Sequence, residues 1–203
     1  MLENTFFQLL GNYSDDDDYI KECWIELHSN YSSSSRHYHN LSHISSMLSE
    51  LETVGHLVND FDCLQFAIFY HDIIYTSHKS DNELQSALLF ENRIAKTSFK
   101  GIGKCFKQIE ATKKHLQSED GDTNVLLDLD LAILGSDPSD NWVYASNIRK
   151  EYSLFPDFVY NRGRKKVLKA MLDMPQVYAT TYFSKAYEAK AKSNLLSELK
   201  RLE

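Results

Sequence analysis

The sequence predicts an all-α fold, a single domain of about nine helices, and three observations carry that expectation. Apolar residues recur at helical spacing along most of the chain. Only 7 Gly and 3 Pro punctuate 203 residues, too few for the turns of a many-stranded sandwich or barrel. The length, with 42 % hydrophobic residues, suits one domain with a real core.

Taken in order, the acidic run Asp15 to Asp18 reads as the solvated start of a helix that continues through Tyr19, Ile20, Cys23, Trp24 and Leu27. Ser32 to Ser35 is a loop by composition. Leu41, Ile44, Leu48 and Leu51, with Met47 and Val54 beside them, mark the next helix. Leu64 to Tyr75 is apolar on every side, the pattern of a helix buried in the middle of a domain. Asp81 is placed to cap a helix containing Leu84, Ala87, Leu88 and Ile94. Further helices follow over Ile102 to His115 and Thr123 to Leu134. Gly135 to Pro138 ends the second of these and opens a helix with Trp142, Tyr144, Ala145, Ile148 and Tyr152. Pro156 and Pro175 bracket another, and the last runs from about Ser184 toward the C-terminus. No repeat or low-complexity linker interrupts the series.

The formal charge of -7 argues against generic nucleic-acid binding, which normally leaves a basic footprint. It is unevenly spread. From residue 141 onward 12 Lys and Arg face 6 Asp and Glu, whereas 10 face 23 before it. All 8 histidines, by contrast, lie at or before His115. Cys23, Cys63 and Cys105 form no CxxC pair, so neither a disulfide framework nor a thiolate zinc site is expected, and a cytoplasmic location is. No secretory leader and no membrane-spanning run is read in the sequence, so no membrane partner is expected. Gly101, Gly103 and Lys104 are followed by Cys105 and form neither a P-loop nor a dinucleotide fingerprint.

Three segments carry the chemistry. His71 and Asp72 place an imidazole and a carboxylate in apolar surroundings, where an unpaired charge is expensive and a metal ion is a good partner. Upstream, Arg36 to His43 packs His37, His39 and His43 together, and His39 and His43 are four residues apart, one face of a helix. Downstream, a helical wheel over Leu126 to Leu134 puts Asp130 in the centre of the apolar face. Asp128 falls on the opposite, solvated side.

His43, then His71-Asp72, then Asp130 resembles the H…HD…D signature of the HD-domain metal-dependent phosphohydrolases, and Tyr38 to His43 resembles the YHNxxH motif of cyclic-nucleotide phosphodiesterases. The likeness is closer to bacterial proteins of similar length described as predicted metal-dependent HD phosphohydrolases. It is carried by RHYHNLSHI from Arg36, FYHDIIY from Phe69, SDNELQSA from Ser80, LDLDLAILG from Leu127, IRKEY from Ile148, GRKKVLKAML from Gly163 and YEAKAKSNLLSEL from Tyr187. The resemblance implies one HD-type domain over residues 1–203, with a core near 36–135 and a helical extension near 138–203.

It further implies that His43, His71, Asp72 and Asp130 ligate a divalent metal, and that His39 protonates the leaving oxygen. Asp72 also engages the nucleophile, and Glu83 positions water or a ligand. His115 is a candidate for a second metal. A mixed imidazole and carboxylate set favours Mn, Fe, Co, Ni or Zn over Mg. The expected reaction is hydrolysis of a phosphoester, of a nucleotide or another small molecule, by water activated on the metal. The basic C-terminal part offers Arg149, Arg162 and Arg164 as phosphate ligands. The HDxxHxG continuation of the phosphodiesterases is absent, because Thr76, Ser77 and His78 follow Tyr75. Cyclic-nucleotide specificity is therefore not implied. Two alternatives stand beside the hydrolase: a signalling module that binds metal or nucleotide with little turnover, and an HD-type di-iron oxygenase that recruits Glu83 or His115.

Overall fold

The computed structural model describes residues 2–202 and is helical throughout, with no strand among them. None of the described helices is long and apolar enough to cross a membrane. Among the described residues there are ten α-helices rather than nine, and they gather into two compact units, Met1–Leu126 and Leu127–Glu203. The division between the two units falls inside a helix.

In the first unit, α1 (Leu2–Gly11) is the helix beyond the expected nine. It packs Phe6, Leu9 and Leu10 into the core. Next come α2 (Asp17–Tyr31), α3 (Leu41–Val54), α4 (Phe61–Tyr70), α5 (Asn82–Ile94), α6 (Ile102–Ala111) and the first half of α7 (Gly121–Leu131). Three carboxylate or amide side chains start helices as their chemistry dictates, each accepting from an otherwise orphaned N–H. Asp16 accepts from Tyr19 N at 3.0 Å, Asn40 from Ser42 N at 2.8 Å, and Asp60 from Cys63 N at 3.1 Å. Asp81 precedes α5 as expected, but its side chain makes no cap bond.

The middle of this unit is α4, which packs on α1, α3, α5 and α6. Its residues from Phe66 to Tyr70 are completely buried. Aromatic edges fill the space: Phe6 meets Phe69 at 5.1 Å, and Tyr70 meets Phe90 at 5.4 Å. A helix buried on all sides brings whatever follows its last turn into the interior. Here that is His71.

Asp122, fully buried in the first turn of α7, anchors the start of α4. It accepts from Asn59 N at 2.8 Å, Asp60 N at 3.1 Å and Lys104 Nζ at 2.6 Å. Burial by itself would push this carboxyl up, but the two N–H groups and the ammonium outweigh it and hold it below its ordinary 3.8. A depressed folded pKa contributes stability above the unfolded value and loses it as pH falls through the folded one. Asp122→Asn is therefore expected to cost about 2 kcal/mol at neutral pH. In thermal melts the gap from the wild type should close below the ordinary 3.8. A gap constant from neutral pH to pH about 3 would show that the carboxylate charge contributes nothing.

The second unit holds the end of α7, a 3-10 turn over Ala132–Gly135, α8 (Pro138–Glu151), α9 (Asp157–Asp173) and α10 (Thr181–Arg201). The long α10 packs on the turn, α8 and α9. Gly135 is there because the turn passes so close that a Cβ would lie 2.6 Å from Tyr187 Cβ.

This unit corrects the expectation for α7. Asp128 is buried, 1 % exposed, and Asp130 is only half-buried. The wheel assumes one apolar face, yet Leu127, Leu129 and Leu131 are all buried, so the helix is enclosed around most of its circumference. On the side read as solvated, Asp128 accepts from Ala179 N at 2.7 Å and Thr180 N at 2.8 Å, two donors ahead of α10. Burial pushes its carboxyl up while these bonds oppose the shift.

Candidate metal centre

Two chain segments of the first unit build the site. The loop Arg36 to Asn40 leads into α3, whose cap at Asn40 sets the helix to begin at Leu41. His43 thus falls in the first turn of α3 and is 5 % exposed. His39 lies before the helix, so the two imidazoles do not share a helical face as their spacing predicts. They meet through the loop instead, with ring centres 6.0 Å apart.

The second segment corrects another expectation. His71 and Asp72 do not sit in mid-helix, because α4 ends at Tyr70 and His71 is its C-cap. The His71 ring turns back on its own helix, with Nδ1 2.9 Å from Ile68 O. A carbonyl accepts only, so Nδ1 carries the proton and Nε2 presents a lone pair. That Nε2 lies 3.3 Å from His43 Nε2 and 3.3 Å from Asp72 Oδ2. His39 Nε2 is 3.9 Å from the same Asp72 oxygen.

One ligand atom from each of His43, His71 and Asp72 lies within 4.8 Å of the others. Ligands at about 2.0–2.2 Å from a common cation sit roughly 3.0–3.5 Å from one another. The two 3.3 Å separations match that spacing. The set is one of borderline nitrogen and oxygen donors, suited to Zn or to Mn, Fe, Co and Ni, and its fixed histidine tautomer is what ligation needs. Exposure grades across the site. His43 and His71 form a buried floor, while the side chains of Asp72 and His39, 13 % and 18 % exposed, face the opening.

Sequence reasoning assigns no role to the residues that hold this arrangement. Arg36 is buried and donates to His39 O at 3.1 Å, Asp72 O at 2.7 Å and Ile73 O at 2.7 Å. Its guanidinium lies 4.8 Å from the Tyr31 ring and 5.7 Å from the Tyr75 ring. One side chain thereby joins the two site segments. The loop after Asp72 is fixed from α5: Ser86 Oγ accepts from Ile74 N at 3.1 Å, and Asn82 Oδ1 accepts from Thr76 N at 3.1 Å. Asn82 and Ser86 are four apart, a polar pair on the buried face of a helix, and that is the signal that identifies them.

The remaining sequence candidates are placed as follows. Glu83, in the first turn of α5, and His115, in a turn with φ 48° after α6, are half-buried and lie outside the three-residue cluster. Asp130 belongs to the second unit. So do the three arginines offered as phosphate ligands, and two of these are engaged structurally. Arg149 donates to Tyr152 O, Phe155 O and Asp157, and lies over the Tyr160 ring. Arg164 forks onto Glu198 at 2.6 and 2.9 Å. Arg162 is exposed on α9. Comparison with family models, curated proteins and solved structures finds no match to this chain.

Proposed function

We propose that the chain is a metal-dependent phosphohydrolase acting on a phosphoester, of a nucleotide or another small molecule. The observation that carries the reading is the convergence of His43, His71 and Asp72 at ligand spacing around a fixed tautomer. The YHNxxH and HD motifs support it independently.

His43 Nε2, His71 Nε2 and an Asp72 oxygen would hold the ion. A divalent cation there supplies Lewis-acid polarisation of a phosphoryl oxygen and an acidified water. The chain's own residues do the rest. The second oxygen of Asp72 accepts a hydrogen bond from the attacking water and orients it. His39, on the open side and next to Asp72, donates a proton to the departing oxygen, a task for which an imidazole suits neutral pH. The apolar packing of α4 behind His71 keeps water from the buried side.

The test is metal analysis of the purified protein, followed by a panel of nucleotides and small phosphoesters with Mn, Co, Ni and Mg. Bound metal and release of phosphate or nucleoside are expected. A protein that takes up none of these ions would overturn the reading. Stoichiometric metal and ligand binding without turnover would replace hydrolysis by the signalling role.

A further inference from the structure

The outer faces of α2 and α9 are left unpartnered by the fold, and they are complementary. On α9, Phe158, Arg162, Lys165, Lys166 and Lys169 follow one another at helical spacing and line one shallow groove with Asp173. Phe158 is 76 % exposed and Leu154, just before the helix, is 75 % exposed, the highest values among the large apolar residues. Four other cations of the same unit are engaged internally. Arg164 forks onto Glu198, Arg149 holds Asp157, Lys190 meets Asp137, and Lys192 closes on the carbonyls of Met171, Leu172 and Met174. No acidic group lies within ion-pair distance of Arg162, Lys165, Lys166 or Lys169 among the described residues.

At the start of α2, the exposed Asp15 and Asp16 before the helix and Asp17 and Asp18 in its first turn are followed by Glu22 and then Ile25, which is 65 % exposed. The stripe carries one cation, Lys21, already 3.4 Å from Asp18. From Asp18 to Ile25 is seven residues, and so is Phe158 to Lys165. At a rise of 1.5 Å both spans are about 10 Å. Laid antiparallel, the two helices put Ile25 on Phe158, Glu22 beside Arg162 and Asp18 beside Lys165. The acidic N-terminal end of one helix then meets the basic C-terminal half of the other, which the helix dipoles also favour.

We infer that two copies of this chain associate through these faces, α2 of one copy lying antiparallel on α9 of the other. The contact joins two different faces, so it closes when two copies exchange it reciprocally and otherwise propagates. Its charge content makes association steep in ionic strength.

Charge exchange tests this directly by light scattering and sedimentation. The wild type associates at about 50 mM salt and dissociates at about 500 mM. Asp18→Lys with Glu22→Lys places like charges opposite each other and gives a monomer, and so does Arg162→Glu with Lys165→Glu. An equimolar mixture of the two variants reassociates, because each altered face now meets its complement. Phe158→Ser weakens wild-type association at least about tenfold, and circular dichroism checks that every variant is helical. A wild type monomeric at low salt, association untouched by either charge variant, or a mixture that stays monomeric would each overturn the proposal.

Discussion

Asp72→Asn is expected to lower divalent-metal affinity by at least about 100-fold while the protein keeps its helical content. Partners behind a ligand are worth about 10–100-fold in affinity, and removal of the ligand itself costs more. The amide keeps the shape of the side chain and removes the charge that offsets the cation. His71→Ala should have an equal or greater effect on binding, because Nε2 of His71 lies 3.3 Å from both other candidate ligand atoms. It also empties a buried site at the end of α4, so a stability cost of about 1–3 kcal/mol accompanies it. Asp72 is less buried, and its variant separates the two consequences. Calorimetric titration with Mn or Co, read beside thermal melts, measures both. Full metal occupancy in both variants would remove these residues from the site.

The helices from α2 to α10 are legible in the sequence because each carries an apolar stripe, a cap or a Pro boundary that local rules read. α1 is not among the helices read there, although Leu2, Phe6, Leu9 and Leu10 fall at helical spacing within its ten residues. Burial of Phe6 against Phe69 and Trp24 fixes it, and that is a tertiary fact. The same limit governs the site. Periodicity places His39 with His43 and puts His71 in mid-helix, but caps decide both cases: Asn40 starts α3 two residues after His39, and α4 stops one residue before His71. Asp128 and Asp130 exchange their expected burial for a related reason. A wheel knows one face of a helix, while the segment before α10 covers the other. The candidate ligands are legible as residue types in order. Their supports are not, because an arginine that spends its donors on backbone carbonyls looks like surface charge until the carbonyls are located.

Arg36 is where that difference has its largest consequence for stability. Arg36→Met is expected to destabilise the protein by about 3 kcal/mol or more, since hydrogen bonds to a charged donor contribute about 1.5–3 kcal/mol each and three carbonyls lose theirs. For a chain of this length that lowers the melting temperature by roughly 6–12 °C. Arg36→Lys keeps the charge but presents a single ammonium where a planar fork serves Asp72 O and Ile73 O at 2.7 Å from two separate nitrogens. It should recover less than half of the lost stability. The two variants also divide structure from chemistry. The candidate ligand atoms of His43 and His71 are held by α3 and by Ile68 O, so neither substitution removes a ligand. What each releases is the His39 loop from the Asp72 turn. If His39 and Asp72 act on the two ends of one phosphoester, their 3.9 Å separation must be kept, and Arg36 is the side chain that bonds to the backbone of both. Turnover should then fall more steeply than metal affinity in Arg36→Lys, and added metal should raise the melting temperature of the variant without restoring activity. Equal loss of affinity and turnover would mean that Arg36 supports the ligands alone.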